Sequence, residues 1–386
     1  MAKLIAPASI QDYRELARKR LPRQFFDYLE GGAYDEQTCR ENMSALAHIH
    51  LRQRVLKDVS QRDLSATILG ERYALPVVLG PVGLAGLNAR RGEVQAARAA
   101  KRANVAFCES TVSLCGIEEV AATGAQLWFQ LYMLKDRGYA AELLRRAKQA
   151  GVKVLVFTVD LAVLGARYRD VRNGIAGASG IHATLTKLAD LLSHPRWLWD
   201  VPIKGKPLVF GNLADAVPSA KSLPAFKHWV DEQFDPAVTW EDLTWLRDHW
   251  DGKIVLKGIL DAEDAKQAAT LQYDAISVSN HGGRQLDSVE PSILALPKCV
   301  DAVAGRCEVL MDGGIRSGLD VVKALALGAT GCMLGRAWAY GLAARGEQGV
   351  SEVLTILRAE MDVAMALTGC TSLEDIQPSI LLEQPV

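Results

Sequence analysis

The sequence has no long hydrophobic run, and no stretch approaches the ~20 apolar residues that a membrane-spanning helix needs. Its first residues, Met-Ala-Lys-Leu-Ile-Ala-Pro-Ala-Ser, contain no apolar core of signal-peptide length, so we do not expect secretion. No charge sign dominates either, because 44 basic residues face 45 acidic ones and leave a formal net charge of −1. We therefore expect no nucleic-acid partner, since proteins that bind nucleic acid are usually basic.

Two chemical motifs are also missing. The seven cysteines are odd in number and none forms a Cys-x-x-Cys pair, so we expect reduced thiols rather than disulfides or a metal site. No Gly-x-Gly-x-x-Gly motif follows a predicted strand, which disfavours a nicotinamide-dependent Rossmann dehydrogenase. What the 386 residues do contain is 49% hydrophobic and 23% charged side chains, a composition typical of a globular protein with a large core.

Short apolar runs alternate with amphipathic stretches along most of the chain. The runs are rich in Val, Ile and Leu without strict alternation, as is typical of strands buried on both faces of a parallel sheet. They predict strands at 75–79, 105–108, 127–131, 154–159, 254–256, 275–278, 309–311 and 332–334. The stretches between them predict helices, three of which are followed by a glycine suited to a left-handed cap: Gly151, Gly252 and Gly328. Eight such units favour a (β/α)₈ TIM barrel in the α/β class, with a doubly wound sheet as the alternative.

Two segments interrupt this alternation within what we interpret as one domain spanning 1–386. Residues 1–70 are mainly helical in pattern and charged, and predict an N-terminal helical segment. Residues 171–239 form a long insertion after the fourth strand, and a connection longer than ~15 residues is usually functional or disordered. We expect this insertion to be a lid over the active site or a loop that contacts a membrane.

Polar residues follow every predicted strand, at the end where barrel enzymes build their active sites. In strand order they are Pro81-Val82-Gly83, Glu109-Ser110-Thr111, Gln130-Leu131-Tyr132, Thr158-Val159-Asp160, Lys257-Gly258, Ser279-Asn280-His281-Gly282-Gly283-Arg284, Asp312-Gly313-Gly314-Ile315-Arg316 and Gly335-Arg336. A single Thr-x-Asp after a strand is most often a helix cap, but eight polar strand ends in phase indicate a site. The last two, with their glycines and arginines, predict a phosphate anchor.

His281 is the best candidate for a catalytic base, because imidazole accepts a proton near neutral pH and Asp160 could stabilise its charged form. Arg284 could bind a carboxylate through two hydrogen bonds beside that base. A buried Lys257 could neutralise negative charge that develops on a ring system. Together these residues predict proton abstraction from a carboxylate-bearing substrate, next to a phosphorylated ligand.

The nonapeptide Ser-Asn-His-Gly-Gly-Arg-Gln-Leu-Asp at 279–287 resembles the signature of the FMN-dependent α-hydroxy acid dehydrogenases and oxidases. The similarity runs over nearly the whole chain and includes the segments at 26–33, 128–132, 256–258 and 312–316. The segments at 51–57, 165–170 and 194–197 are most similar to bacterial respiratory L-lactate dehydrogenases. The segments at 160–163, with Ala162 where lactate enzymes usually have Pro, and 340–347 look more like mandelate dehydrogenase.

This resemblance implies a role for each strand-end residue. His281 would be the base, Asp160 its partner, and Lys257 the residue that stabilises reduced flavin. Tyr28, Tyr132, Arg167 and Arg284 would hold the substrate. The FMN ring would lie among Pro81, Val82, Gly83, Ser110, Gln130, Thr158, Lys257 and Ser279, and its phosphate among Asp312, Gly313, Gly314, Arg316, Gly335 and Arg336.

The implied reaction is oxidation of a small L-2-hydroxy acid, with L-lactate favoured. Mandelate stays open because of Ala162 and the small pocket residues Gly83 and Val112. A soluble oxidase that uses oxygen, an FMN barrel of another reaction type and a non-catalytic flavin-binding barrel are the further alternatives. The resemblance to respiratory enzymes also implies a quinone or another respiratory-chain acceptor and a homotetramer.

The composition of the insertion suits a membrane interface. Six of the eight tryptophans lie between positions 197 and 250, and the insertion interleaves aliphatic with basic residues. The residues concerned are Trp197, Trp199, Trp229, Leu191, Leu192, Leu198, Val201, Ile203, Leu208, Val209, Phe210, Arg196, Lys204 and Lys206. We predict a peripheral enzyme on the cytoplasmic side of the inner membrane, while a lid packed on itself is nearly as well supported.

Overall fold

The computed structural model, which describes residues 6–175, 181–205, 208–213, 229 and 232–382, contains a closed eight-stranded parallel barrel. Its strands, in barrel order, are β3 (Val77–Leu79), β4 (Ala106–Ser110), β5 (Leu127–Leu131), β6 (Val154–Thr158), β7 (Lys253–Ile259), β8 (Ala275–Val278), β9 (Glu308–Met311) and β10 (Gly331–Leu334). The barrel closes where Cys332 of β10 pairs with Val77 of β3. This confirms the predicted TIM barrel over the doubly wound sheet, and every predicted strand overlaps an observed one.

Helices surround the barrel. Those before and within its first four units are α1 (Ile10–Arg20), α2 (Arg23–Glu30), α3 (Gln37–His48), α4 (Gly92–Ala103), α5 (Ile117–Ala121) and α6 (Arg137–Gln149). Helix α7 (Tyr168–Arg172) leads into the insertion, which contributes α8 (Ile181–Leu192), α9 (Pro195–Leu198) and a π-helical turn, Trp199–Ile203. The remaining ones are α10 (Leu243–His249), α11 (Ala262–Thr270), α12 (Ser292–Val303), α13 (Gly318–Ala326) and α14 (Arg336–Thr368). The last is interrupted at Arg345 and Gly346, whose dihedral angles are not helical.

A two-stranded hairpin plugs the N-terminal end of the barrel. Strands β1 (Ala66–Ile68) and β2 (Glu71–Tyr73) pair antiparallel, and their apolar side chains pack on the barrel interior. Trp128 at the start of β5 donates its indole N–H to the hydroxyl of Tyr73 across 3.3 Å. One end of the barrel is thereby filled, which leaves the C-terminal ends of the strands for a cavity.

The N-terminal helices cover part of the other end. The backbone N–H of Ala33, just after α2, donates to the carbonyl of Gly283 across 2.8 Å. Asn42 on α3 exchanges two hydrogen bonds, each 2.9 Å long, with the side chain of Asn280. The predicted N-terminal helical segment therefore lies directly against the loop that carries His281.

One of the three predicted glycine caps is wrong. Gly151 and Gly328 adopt positive φ angles of 80° and 99° after their helices, as expected. Gly252 is not left-handed; α10 ends at His249, and a Cβ at position 252 would lie 2.4 Å from the carbonyl oxygen of Lys153. Close packing between the two loops, rather than a helix cap, requires glycine there.

Candidate active site

A cavity of about 680 Å³ opens at the C-terminal end of the barrel. Its lining includes fifteen residues that the sequence assigned to a site: Tyr28, Pro81, Val82, Gly83, Tyr132, Arg167, Lys257, His281, Arg284, Asp312, Gly313, Gly314, Arg316, Gly335 and Arg336. The other five, Ser110, Gln130, Thr158, Asp160 and Ser279, lie at or just after the same strand ends. Most of the predicted site residues therefore surround one space, and the others lie beside it in sequence.

His281 and Asp160 form a hydrogen-bonded pair at this cavity. Nδ1 of the imidazole lies 2.8 Å from Oδ1 of the carboxylate, which assigns the Nδ1–H to that bond and leaves Nε2 able to accept a proton. Burial lowers the pKa of His281 below its usual value, although the Asp160 charge acts in the opposite direction. Burial alone would raise the pKa of Asp160, but the charge of His281 and its hydrogen bond outweigh it and lower the pKa. The pair is thus a neutral imidazole beside an ionised carboxylate.

A glycine in β7 makes room for this pair. Gly258 has a φ of 110°, and a Cβ at that position would lie 2.5 Å from Cγ of Asp160. The register between β7 and β8 also shifts between Lys257 and Ile259. The Lys257-Gly258 dipeptide therefore brings a lysine and the His281 partner close to each other.

Lys257 is buried and held by two groups. Its Nζ lies 2.9 Å from Oδ2 of Asp312 and donates to Oγ of Ser279 across 3.1 Å, while Ser279 donates to Oδ1 of Asp312 across 2.7 Å. Burial opposes the charged form of the lysine, but the charges of Asp312 and Asp160 outweigh it and raise its pKa. Lys257 therefore carries a fixed positive charge at the cavity wall.

Arg284 and Arg167 give one end of the cavity a surplus of positive charge. Nη1 of Arg284 donates to the carbonyls of Tyr28 and Gly31, across 2.9 Å and 2.6 Å, and its guanidinium lies 5.1 Å from the ring centre of Tyr28. Burial, followed by the charges of Arg167 and Arg336, lowers the pKa of Arg284 to about 10. A bound carboxylate would relieve this repulsion.

The nearest acid to these arginines compensates them only in part. Oδ2 of Asp170 lies 4.0 Å from Nη1 of Arg167. Burial raises the pKa of Asp170 even though Arg284 and Arg167 act to lower it. The arrangement leaves capacity for a further anion at this end.

The polar side chains near the ends of β5 and β6 include two that could bind a ligand. Oε1 of Gln130 accepts from Oγ of Ser110 and from the backbone N–H of Thr111, across 3.1 Å and 3.3 Å. Nε2 of Gln130 and Oγ1 of Thr158 are buried, and neither has a hydrogen-bond partner within the part of the chain that the structure describes. Buried polar groups are nearly always satisfied, so these two indicate a polar ligand such as the flavin ring of FMN.

The residues of the predicted phosphate anchor also line the cavity. Gly314 has a φ of 89°, and a Cβ there would lie 2.6 Å from the carbonyl oxygen of Asn42, so glycine is required. A Cβ on Gly335 would meet no atom within 4 Å, which shows open space beside its backbone. Arg316 and Arg336 line the same space. Glycine backbone and two guanidinium groups fit a phosphate.

Arg336 also has a structural task that the sequence did not predict. Its three guanidinium nitrogens donate to the carbonyls of Leu29, Gly282 and Gly31, across 3.2, 2.8 and 2.8 Å. It therefore joins the end of α2 to the loop after β8. The carbonyl of Gly31, in the turn that ends α2, accepts hydrogen bonds from both Arg336 and Arg284. These bonds hold the turn beside the cavity.

Phe234, which packs against Tyr132, is a site residue that the sequence analysis did not predict. Burial, followed by the charge of Asp160, raises the pKa of the Tyr132 hydroxyl well above the usual value. The ring of Tyr132 lies 4.8 Å from the ring of Phe234, which comes from the end of the insertion and also lines the cavity. Phe234 stands alone in a polar stretch, so no periodic pattern singled it out.

The donor set as a whole fits FMN. It offers unsatisfied hydrogen-bonding groups for a ring, a buried cation and a glycine-arginine anchor for a phosphate. Among the described residues, no three His, Cys, Asp or Glu side chains converge as metal ligands would.

Comparisons with known proteins give a consistent result. The family model for FMN-dependent dehydrogenases matches residues 17–383. An L-lactate dehydrogenase of Caulobacter vibrioides (strain NA1000 / CB15N) is 54% identical over 378 residues, which cover 98% of each chain.

Solved structures are similar as well. A crystal structure of the monotopic membrane protein (S)-mandelate dehydrogenase superposes with a TM-score of 0.91 at 40% identity, covering 98% of this chain and 100% of that one. A mandelate oxidase with (S)-4-hydroxymandelic acid gives a TM-score of 0.85 at 38% identity, with coverages of 97% and 98%.

Proposed function

Since the chain belongs to the FMN-dependent dehydrogenase family, we propose that it oxidises L-lactate to pyruvate and passes the electrons to a respiratory-chain acceptor such as a quinone. The family membership confirms the resemblance carried by residues 279–287 and makes FMN the cofactor. The protein is accordingly an FMN-dependent L-2-hydroxy acid dehydrogenase. The substrate is favoured by the L-lactate dehydrogenases that share more than half of its residues over nearly its full length.

The observation that carries the proposal is the placement of His281, paired to Asp160, in one cavity with Arg284 and Arg167. A 2-hydroxy acid presents a carboxylate and a hydroxyl on adjacent carbons. Arg284 and Arg167 can bind the carboxylate, which leaves the hydroxyl-bearing carbon for the histidine. FMN, when bound, supplies the two-electron acceptor.

Oxidation of a 2-hydroxy acid to the keto acid removes two protons and two electrons. His281 takes one proton, and the other hydrogen would leave with the electrons to FMN. Nε2 of His281 accepts the first of these protons, and the imidazolium that forms is stabilised by Asp160 at 2.8 Å. Because Asp160 is already ionised, this stabilisation requires no further proton movement. Lys257 places a fixed positive charge at the cavity, where it would stabilise negative charge on a reduced flavin ring bound there.

(S)-Mandelate is the second candidate substrate. The solved structures similar to this chain include mandelate enzymes, and the cavity lining contains the small residues Gly83 and Ala162. A Cβ on Gly83 would lie 2.6 Å from Cγ2 of Val112, so these two pocket residues are neighbours. Lower identity to the mandelate enzymes, at most 40% among those described above, makes L-lactate the better choice.

The experiment that tests the reaction compares electron acceptors at saturating L-lactate. We expect pyruvate to form at least about tenfold faster with a quinone analogue than with dissolved oxygen, a difference of about 1.4 kcal/mol in activation free energy. Equal rates with the two acceptors would identify an oxidase instead. Formation of a keto acid from mandelate but not from lactate would transfer the assignment to the second candidate.

We also propose that the insertion holds the enzyme on the membrane surface. Several of its apolar side chains are exposed, namely Leu185, Leu188, Leu192, Trp199, Ile203, Leu208 and Val209. Lys204 lies 5.2 Å above the ring of Trp199, the aromatic-cation combination that suits a lipid headgroup region. Trp197, Val201 and Phe210 do not belong to this surface, because they are buried in the protein, and Lys206 lies outside the described residues.

The rim of the cavity supports the same proposal. Val163 and Val171 both line the cavity and are 69% and 63% exposed. An apolar acceptor that arrives from a lipid phase would meet this rim before it reached the buried groups. In the part of the chain that the structure describes, no helix is both long and apolar enough to cross a bilayer.

Vesicle flotation tests the membrane proposal. We expect the enzyme to float with anionic phospholipid vesicles and the double variant Trp199→Ser, Ile203→Ser to float much less. Leu271→Ser is the matched control, since Leu271 is 45% exposed but lies after α11, outside the insertion. Absence of flotation in the unchanged enzyme would contradict the proposal.

The proposal also includes binding to the cytoplasmic face of the inner membrane, which cell fractionation tests. It further includes a homotetrameric assembly, which light scattering tests.

A further inference from the structure

Phe234 forms a wall of the cavity beside Tyr132. Its side chain is buried, and the two ring planes are inclined by 31° at a centroid distance of 4.8 Å. A phenyl ring offers no hydrogen-bond donor or acceptor of ordinary strength, so it affects a ligand mainly through the volume that it occupies and its apolar contact. Phe234 can therefore limit the size of a ligand that lies against Tyr132.

The backbone around Phe234 is fixed to the barrel. Phe234 forms an isolated antiparallel bridge with Leu134, three residues beyond the end of β5. The backbone N–H of Lys135 donates to the carbonyl of Gln233 across 2.8 Å, and that of Asp235 donates to Met133 across 3.1 Å. The wall is thus attached to the same strand end that carries Tyr132.

Charged side chains hold the same segment from both sides. Nη2 of Arg137 lies 2.5 Å from Oδ2 of Asp235, and Nζ of Lys135 donates to the carbonyl of Glu232 across 2.6 Å. Both basic residues lie in the loop after β5 or at the start of α6. Because its neighbours are held on each side, Phe234 could make room for a larger ligand only if some of these hydrogen bonds were broken.

We propose that Phe234 is a specificity-determining residue, whose ring restricts the side chain on the hydroxyl-bearing carbon to a small group. The inference rests on the proposed function, in which the arginines hold the carboxylate and His281 faces the hydroxyl-bearing carbon. When the substrate's carboxylate and hydroxyl-bearing carbon are both held in place, the direction of its side chain is also set. Phe234 lines the same cavity as His281 and the two arginines, so its ring can contact that substituent.

The test measures kcat/KM for L-lactate and (S)-mandelate in Phe234→Ala and Phe234→Leu. We expect the mandelate-to-lactate ratio to rise roughly tenfold or more in Phe234→Ala and less in Phe234→Leu, since a change of one or a few methylenes in an apolar pocket has effects of this size. The leucine variant keeps most of the apolar volume and serves if the alanine variant does not fold.

Phe25→Leu is the matched control. Phe25 is also buried and also stacks on an aromatic ring, that of Trp197 in the insertion, at 4.8 Å, but it is not among the residues that line the cavity. Its substitution should leave the ratio unchanged. A ratio that stays within about twofold in both Phe234 variants, a parallel loss for both substrates, or an equal change in Phe25→Leu would overturn the proposal.

The same data separate this proposal from the proposed function. If the unchanged enzyme turns over L-lactate while the ratio does not respond to position 234, only the specificity role fails. If the unchanged enzyme oxidises neither hydroxy acid, the proposed function fails and the specificity role falls with it.

Discussion

His281 has a backbone conformation that few residues other than glycine adopt. Its φ is 57°, and Gly282 and Gly283 follow with φ values of 63° and 73°. Three successive left-handed residues turn the chain sharply after β8, and Oγ of Ser279 accepts the backbone N–H of His281 across 3.0 Å. Unfavourable backbone geometry of this kind is typical of functional sites, where the surrounding contacts maintain it.

Replacement of His281 by Gln should leave FMN bound but prevent its reduction by the hydroxy acid. The amide cannot act as a base, and loss of a general base costs roughly 10²–10⁴-fold in rate. Anaerobic stopped-flow absorbance measures the effect directly. His249→Gln is the control, because His249 lies at the end of α10 and stacks on Trp245. A reduction rate close to that of the unchanged enzyme would show that His281 is not the base.

The rate should depend on pH through the same residue. Burial lowers the pKa of His281 below 6.5, so the reactive neutral form predominates at pH 7 and kcat/KM should fall only as the pH drops through that lowered pKa. Asp160→Asn removes a charge that raises this pKa, so the acid limb should move to still lower pH while the plateau rate falls. An acid limb that moves to higher pH in Asp160→Asn would contradict the pairing.

Arg284→Lys should impair turnover although the charge is kept. One guanidinium nitrogen is committed to the carbonyls of Tyr28 and Gly31, and a lysine cannot hold these and a carboxylate together. A lost charged hydrogen bond, worth about 1.5–3 kcal/mol, predicts a decrease in kcat/KM of roughly 10- to 100-fold. Arg247→Lys is the control, since Arg247 also lies over a tyrosine ring, 4.8 Å from that of Tyr273. Unchanged kcat/KM would make Arg284 structural.

At the scale of elements, a buried asparagine of the insertion forms several hydrogen bonds to the barrel. Oδ1 of Asn212 accepts the backbone N–H of Ile117 across 2.8 Å, while Nδ2 donates to Oε1 of Glu109 and to the carbonyl of Ser110, each at 3.3 Å. Burial, followed by the charge of Glu93, raises the pKa of Glu109 well above its usual value. The insertion is thereby linked to the strand end that carries Ser110.

Asn212→Ala should destabilise the protein markedly. It would leave the buried Ile117 N–H and the Glu109 carboxyl without partners, at a cost of about 1–3 kcal/mol for each. Thermal unfolding followed by circular dichroism should show a lower Tm. Asn173→Ala, in the same insertion, is the control, because Asn173 is only partly buried and its Oδ1 accepts one local backbone N–H. Equal Tm values for the two variants would show that Asn212 is not the anchor.

The elements also show what the sequence could predict. Strand β5 was predicted with its observed bounds, because a parallel strand buried on both faces leaves a continuous apolar run. The polar residues at the strand ends could be assigned to one site because a barrel brings the C-terminal ends of its strands together. The role of Phe234 was not predicted, because its bridge joins it to Leu134, 100 residues earlier in the chain. A contact between such distant residues leaves no periodic pattern in the local sequence. The carbonyl contacts of Arg336 depend on tertiary structure in the same way.

At the scale of the whole molecule, the insertion also docks on the N-terminal helices. Arg20 at the end of α1 forms an ion pair with Asp200 at 2.8 Å, and the backbone N–H of Arg23 donates to Asp190 across 2.8 Å. The end of α2 in turn binds Arg284 and Arg336. A single connected structure therefore joins the exposed apolar surface to the cavity.

The central claim is that the cavity oxidises L-lactate at bound FMN, and anaerobic reduction of the purified flavoprotein tests it most directly. The account predicts that L-lactate bleaches the visible flavin absorbance and yields one pyruvate per flavin, that D-lactate does not, and that (S)-mandelate acts more slowly. A flavin that stays oxidised with L-lactate, or one that mandelate reduces roughly tenfold faster, would contradict the account.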